Sequence, residues 1–169
     1  MQATQMRSDA RAEDSARSVT DEAAIDRLLQ ELYEVISFVE GGEPDWQRMK
    51  ALFSPHARIT RITPEATDYY DLRGFQDMAK EMLELGIFTS FHERELVRSQ
   101  RIFGGIAHVL SAYETKQSEW AKEPFARGVN AIQLIREPDG WRVLSLLWDE
   151  EGPSTPLVLE QLFDQGGKP

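Results

Sequence analysis

The sequence predicts an α+β fold in which helices in the first half of the chain cover an antiparallel sheet. Two observations predict it. Helical periodicity is confined to the region before residue 86, and residues 101–150 have the pattern of three consecutive strands joined by two turns. These strands are apolar on both faces. We therefore expect helices against one face of the sheet and another partner, such as a second subunit, against the other.

The first helix is predicted to begin near Thr20, a suitable N-cap residue followed by two acidic residues. Its apolar residues recur at three- and four-residue steps until Gly41 and Gly42 end the pattern. Residues 1–19 upstream are polar and charge-balanced, so we expect a flexible leader there.

A short second helix is predicted to follow Pro44 and to stop at Ser54-Pro55. Residues 56–62 predict a short strand, and residues 63–73 predict a loop that can close over a pocket. A third helix is predicted over 75–85, because its apolar residues recur at helical spacing and a glycine follows it.

Four strands are predicted over 88–102, 106–115, 128–136 and 141–150. The segment 137–140, Glu-Pro-Asp-Gly, has the composition of a tight turn between the last two.

A hairpin closing symmetrically about that turn places Leu134 opposite Val143, Asn130 opposite Leu147 and Gly128 opposite Asp149. Asn130 and Asp149 then share one face of the hairpin. The opposite face carries residues expected to form a dimer interface: Leu144, Leu146 and Trp148.

The composition limits the classes of function. At 169 residues and 41% hydrophobic content, the chain suits one domain, placed at 20–155 with a tail over 156–169. A net charge of −10 argues against nucleic acid and anionic membranes as partners. The chain has no cysteine, which excludes disulfides and thiolate sites and leaves the redox compartment open. Its N-terminus lacks an apolar signal core, so we expect a cytoplasmic protein.

No metal or cofactor site is expected. The three histidines, His56, His92 and His108, include no pair at a spacing typical of metal ligands. Neither a phosphate-binding glycine loop nor a nucleotide fingerprint occurs. Residues Glu93 and Glu95 are expected on one face of their strand and Arg94 and Arg98 on the other.

The element order and the phrases LFSPHARIT, RGFQDMAKEM, GGIAHVLSAYE and DGWRVLSLLWDEE resemble the nuclear transport factor-like superfamily, also called SnoaL-like. The resemblance covers roughly residues 21–152, and the string FARGVNAIQLIREPDGWRVLSLLWDEE is similar to an uncharacterised bacterial subgroup. The superfamily includes polyketide cyclases, ketosteroid isomerase and scytalone dehydratase. The resemblance implies a cystatin-like cone: a curved mixed or antiparallel sheet wrapped around three N-terminal helices, with an apolar pocket and usually a dimer formed through the sheets. The fold alone does not specify function.

Catalysis in such a cone needs an acid or base and hydrogen-bond donors in an apolar cavity. Asp149 is a candidate base, with Asn130 and Tyr113 as donors, and His92 or Glu93 are the other acid–base candidates. The alternative is that Asp149 sits in water at a strand end and that the charged strand is a solvated edge with cross-strand salt bridges.

Ligand contacts are expected from aromatic and polar side chains around the pocket. Arg127 can bind a substrate carboxylate or pair with Glu114 or Glu123. His56 occupies roughly the position where the superfamily often has an acidic residue. The remaining candidates for the lining are aromatic, although Trp46 and Phe53 also fit a core role: Tyr33, Trp46, Phe53 and Tyr69.

Two functions are compatible with these residues. The first is a cofactor-independent isomerase, lyase or cyclase that acts on a small apolar molecule by acid–base chemistry. The second is a non-catalytic ligand-binding or dimeric interaction module. An enzyme should have a buried titratable group that reaches an open cavity, whereas the module should have a cavity filled by its own side chains: Trp46, Phe53 and Met82.

Overall fold

The computed structural model describes residues 2–163, with side chains from residue 19 onward. The helices are α1 (Gln2–Ile36), α2 (Trp46–Leu52), α3 (Leu72–Glu84) and α4 (Leu159–Phe163). The strands are β1 (Phe53–Ile62), β2 (Thr67–Tyr70), β3 (His92–Phe103), β4 (Ile106–Lys116), β5 (Ala126–Glu137) and β6 (Gly140–Glu150).

The six strands form one mixed sheet in the order β2-β1-β6-β5-β4-β3. Strands β3 to β6 are antiparallel neighbours, and β1 is parallel to β6. Helices precede and cover a curved sheet, which confirms the predicted α+β class. Strand β2 lies inside the segment 63–73, where the sequence predicts a loop. No helix in the described part of the chain is long and apolar enough to cross a membrane.

The predicted start of the first helix is wrong, because α1 begins at Gln2 and continues through Thr20. The residues before Thr20 include neither proline nor glycine and are rich in good helix formers such as alanine, arginine and glutamate. A capping residue therefore does not interrupt the helix there. Side chains of residues 1–18 and all of residues 164–169 lie outside the described residues, so the leader 1–19 and the tail 156–169 remain predictions.

The core lies between α1 and the concave face of the sheet. Ile25 and Leu29 of α1 are fully buried, as are Val109 of β4 and Ile132 of β5. Each such side chain contributes roughly 1.5–3 kcal/mol through burial of apolar surface. This packing fixes the helix over the sheet and leaves the space beyond it for a cavity.

The hairpin register differs from the prediction because β6 contains a bulge. Leu134 lies opposite Val143 as predicted, and Gln133 lies opposite Ser145, so Leu144 is an extra residue on β6. One extra residue moves every later side chain of that strand to the other face. Asn130 therefore lies opposite Trp148, and the predicted pairing with Leu147 is wrong.

The bulge also corrects the predicted faces. Leu146 and Trp148 lie on the concave face and line the cavity, so they do not belong to an exposed dimer face. Leu144 lines a separate groove that also contains His108. At the open end, Gly128 lies opposite Glu150 rather than Asp149.

A second irregularity, between Glu95 and Val97 of β3, brings Glu95 and Arg98 together. The Nη1 atom of Arg98 donates a hydrogen bond of 2.6 Å to Oε2 of Glu95. The prediction that these two residues occupy opposite faces is therefore wrong, again because a bulge changes the alternation of the strand.

Candidate functional site

An apolar cavity of about 340 Å³ opens between the helices and the concave face of the sheet. This volume falls within the range of small-molecule sites, which is about 300–1,000 Å³. The apolar lining comes from α1, α2, α3 and the sheet and includes Leu32, Ile36, Met49, Met78, Met82, Ile59, Leu146 and Trp148. The cavity is open even though Phe53 and Met82 are among its walls.

Four phenylalanines form one part of the cavity wall. Phe38 and Phe91 stack with ring centroids 6.2 Å apart, and Phe88 meets Phe91 edge to face at 5.6 Å. Phe125, from the end of the β4–β5 loop, lies 5.9 Å from Phe88. Such a surface favours a flat apolar ligand.

Glu93 of β3 places its carboxyl group in this apolar surrounding. The residue keeps some accessible surface because it faces the cavity. Burial raises the pKa of Glu93 to about 8; a hydrogen-bonding interaction with Asn130 opposes the shift and the charge of Glu150 adds to it. The carboxyl group is therefore mostly protonated at neutral pH and can gain or lose a proton near it.

Tyr113 of β4 is the second polar group at the cavity. Its side chain is 3% exposed, and its hydroxyl has no hydrogen-bond partner among the described residues. Burial, followed by the charge of Glu93, raises the pKa of Tyr113. The hydroxyl therefore stays neutral and is available as a donor to a ligand.

Gly128 of β5 makes room for Tyr113. A Cβ atom at position 128 would lie 2.4 Å from the backbone oxygen of Asp149 and 2.7 Å from the hydroxyl oxygen of Tyr113. Only glycine lets the tyrosine ring and the neighbouring strand approach this closely.

Asn130 and Tyr33 belong to a hydrogen-bonded chain. Asn130 Nδ2 donates a hydrogen bond of 3.2 Å to the hydroxyl oxygen of Tyr33. That oxygen lies 2.7 Å from Ser111 Oγ. Ser111 Oγ donates to Glu95 Oε1 at 2.6 Å. Since the serine has a single proton and gives it to Glu95, Tyr33 must donate to Ser111. The proton of Tyr33 is thus committed within the protein.

This hydrogen-bonded chain of side chains ends in an ion pair with α1. Arg98 donates to Glu95 and also pairs with Asp26. Every member from Asn130 to Asp26 has a partner. The hydrogen-bonded chain fixes the orientation of the Asn130 side chain, and Asn130 also lines the cavity.

The structure brings together five of the sequence-predicted residues at the cavity: Tyr113, Asn130, Glu93, Tyr33 and Phe53. Asp149 does not line it; this residue is exposed and pairs with Val129. His92 lies opposite Lys116 on β3 and is also absent from the cavity wall.

The other four predicted ligand contacts lie away from the cavity. Trp46 packs edge to face on Phe75 at 6.5 Å and donates from Nε1 to Glu43. His56 is exposed, and Tyr69 is 77% exposed.

Arg127 forms a two-pronged ion pair with Glu151, with both bonds 2.8 Å long. Its partner is thus neither Glu114 nor Glu123. The charge of this guanidinium is already paired with a carboxylate, so Arg127 is not an unpaired cation facing the cavity.

Sequence reasoning missed two charged residues of the cavity wall, Arg61 of β1 and Glu150 of β6. The alternation of β1 could have indicated Arg61, because it lies two residues after the buried Ile59. No comparable signal existed for Glu150, since its face depends on the bulge at Leu144. Within residues 19–163, no three His, Asp or Glu side chains converge in a metal-binding arrangement.

Comparison with known proteins gives similarity in structure only. No family model matches the chain, and no curated protein matches it in sequence. Solved structures do match. An NTF2-like protein with a cystatin-like fold from Novosphingobium aromaticivorans superposes with a TM-score of 0.65 at 13% identity, covering 82% of this chain and 87% of that one. This chain has the cystatin-like, NTF2-like fold.

Two neighbours with this fold have more specific names. LinA superposes with a TM-score of 0.64 at 12% identity, covering 86% of this chain and 95% of LinA. A putative scytalone dehydratase from Novosphingobium aromaticivorans gives 0.59 at 11% identity, covering 82% of this chain and 89% of that one. Identities this low establish the fold and leave function to the site.

Proposed function

We propose that this protein binds a small, largely apolar molecule in the cone and transfers a proton on it, with Glu93 as the acid–base group. The observation that carries the proposal is a carboxyl group with a pKa raised to about 8, facing an open apolar cavity. A general acid or base is most effective when its pKa lies near the working pH.

The proposed reaction is a proton shift next to a carbonyl group, as an isomerase or lyase performs it. Ionised Glu93 takes a proton from the carbon beside the carbonyl, and the electron pair moves to the carbonyl oxygen. Tyr113 donates a hydrogen bond to that developing oxyanion. Protonated Glu93 then returns the proton to carbon. Since no electrons are gained or lost overall, these steps need no redox cofactor.

Exchange of carbon-bound protons tests the proposal. In heavy water, the protein should catalyse deuterium incorporation beside the carbonyl of 2-tetralone, an apolar bicyclic ketone, followed by NMR. Glu93→Gln should lower the rate by about 10²–10⁴-fold, and Tyr113→Phe should lower it less. Asp149→Asn is the matched control, because it removes a predicted base that lies outside the cavity.

The outcomes separate the two functions. Equal exchange rates for the wild type and Glu93→Gln would contradict the acid–base role. Binding of 2-tetralone without exchange in either protein would favour a ligand-binding module. Failure of both binding and exchange would count against the cavity as a site for molecules of this kind.

We further propose that the protein is cytoplasmic and forms a homodimer through the outer face of the sheet. Phe103 is 83% exposed and Ile106 is 60% exposed, and both line the outer groove with Leu144. Exposed apolar surface of this kind supports an interface. Sedimentation of the wild type and Phe103→Glu tests it: the substitution should shift a dimer to a monomer.

A further inference from the structure

We infer that the ligand carries a carboxylate and that Arg61 binds it. The inference rests on the proposed function of the cavity and adds the chemical class of its ligand. It would make the ligand an apolar acid rather than a neutral apolar molecule.

Arg61 occupies a position from which it can contact a ligand. It lies on β1 two residues after Ile59, and both line the cavity. Its neighbours across the sheet are Asp68 of β2 and Trp148 of β6, and Trp148 also lines the cavity. Arg61 therefore lies beside an apolar wall that can hold the body of a ligand.

Arg61 has neither a hydrogen-bond nor an ion-pair partner among the described residues, and its charge interacts only at longer range with the Tyr70 hydroxyl. It forms no ion pair within 4.0 Å, even with its cross-strand neighbour Asp68, and no hydrogen bond. Five other arginines of the sheet are paired with carboxylates: Arg94 with Glu114, Arg98 with Glu95 and Asp26, Arg127 with Glu151, Arg136 with Asp21, and Arg142 with Asp139. The remaining two, Arg58 and Arg101, donate to backbone oxygens.

An unpaired cation in a chain with a net charge of −10 calls for an explanation. Arg61 is half-buried, so water solvates its charge incompletely. The planar guanidinium binds carboxylates through two parallel hydrogen bonds. A ligand carboxylate would thus supply the partner that this side chain lacks.

The other charges at the cavity permit an anion. Glu93 is mostly protonated at neutral pH because its pKa is raised to about 8, so it repels a carboxylate little there. Glu150 is exposed, and solvent screens its charge more strongly than that of Arg61. A bound acid would place its carboxylate at β1 and its apolar body towards Glu93 and Tyr113.

A matched pair of probes tests the inference. Calorimetry at pH 7 should show that the wild type binds 2-naphthoate at least about tenfold more tightly than 2-naphthamide, which has nearly the same shape and no charge. Arg61→Gln should weaken naphthoate binding about tenfold or more and leave naphthamide binding unchanged. Arg61→Lys should fall between the two, because lysine keeps the charge and loses the two-pronged geometry.

Arg58→Gln is the control, since Arg58 lies on the same strand, is exposed and bonds to backbone oxygens outside the cavity. It should bind both probes as the wild type does. Unchanged naphthamide binding by Arg61→Gln also shows that this variant is folded.

Equal affinities of the wild type for the two probes would overturn the inference, and so would an equal loss of both in Arg61→Gln. Proton exchange on neutral 2-tetralone is independent of this result. If exchange depends on Glu93 but the protein does not prefer naphthoate, the proposed function stands and the inference fails. If the protein prefers naphthoate through Arg61 but exchange does not depend on Glu93, the inference stands and the proposed function fails. Binding of neither naphthoate nor naphthamide would overturn the inference.

Discussion

Two sets of polar side chains lie on the concave side of the sheet, and they differ in how completely their hydrogen bonds are satisfied within the protein. The connected set contains Asn130, Tyr33, Ser111, Glu95 and Arg98. The cavity-facing set contains Glu93, Tyr113 and Arg61. Both sets include a carboxyl group, a phenol and a guanidinium, so composition does not distinguish them.

The difference separates stabilising from functional residues. Buried polar groups with complete hydrogen bonding hold a structure together, and those left without a partner indicate a place where something else binds. Tyr33 gives its proton to Ser111, whereas the hydroxyl of Tyr113 has no partner among the described residues. We therefore expect substitutions in the connected set to lower the stability of the fold. Substitutions in the cavity-facing set should affect ligand binding and, through the titration of Glu93, the pH dependence of stability.

The largest effect should appear in the pH dependence of stability caused by Glu93. Its pKa rises from 4.5 in the unfolded chain to about 8 in the fold, so the folded state holds one more proton between those values. The free energy of unfolding should therefore fall as the pH rises through this window and level off above it. Between pH 5 and pH 9 the loss should be roughly 4 kcal/mol.

Glu93→Gln removes this titration and leaves the others in place. Urea unfolding of both proteins across the pH range should show the wild type losing stability relative to the variant as the pH rises. If the free energies of unfolding of the two proteins change in parallel with pH, Glu93 has the same pKa in the folded and unfolded chains. Glu93 would then not differ from the carboxyl group of the connected set.

Gly128→Ala should have the next largest effect, because the added methyl group meets backbone as well as the Tyr113 ring. We expect a loss of about 3 kcal/mol, measured by urea unfolding. Gly105→Ala is the control: its Cβ would find only the Arg136 Cβ at 3.8 Å, an ordinary contact. Equal losses in the two variants would show that Tyr113 does not depend on the space above Gly128.

Ser111→Ala should cost about 2 kcal/mol, since it leaves the Tyr33 hydroxyl proton without an acceptor and Glu95 Oε1 without a donor. Ser145→Ala should change stability much less, because the Ser145 hydroxyl has no hydrogen-bond partner among the described residues. A stable Ser111→Ala protein would contradict the stabilising role of the connected set.

Local pattern predicts much of this fold. Apolar spacing and the Glu-Pro-Asp-Gly turn predict the first three helices, every strand except β2, and the pairing of Leu134 with Val143. Glu93, Tyr113 and Asn130 could be singled out as candidates because a few polar residues stand in otherwise apolar strands. Which of these residues have hydrogen-bond partners could not be predicted from the sequence, because partners such as Tyr33 and Ser111 are 78 residues apart in the chain.

The bulges limit prediction at the site. The extra residue Leu144 reverses the face of everything that follows on β6, so Glu150 faces the cavity in place of the predicted Asp149. Sequence alternation carries no mark of such an insertion, because Leu144, Leu146 and Leu147 are apolar alike.

The most direct test of the account is the pKa of the Glu93 carboxyl group. Carbon-13 NMR of protein labelled at the glutamate side-chain carboxyl can follow this group through a pH titration, with Glu93→Gln used to assign its signal. We expect a midpoint at about 8. A midpoint near the ordinary value of 4.5 would contradict it, because Glu93 would then be an ionised side chain rather than a neutral acid poised in the cavity.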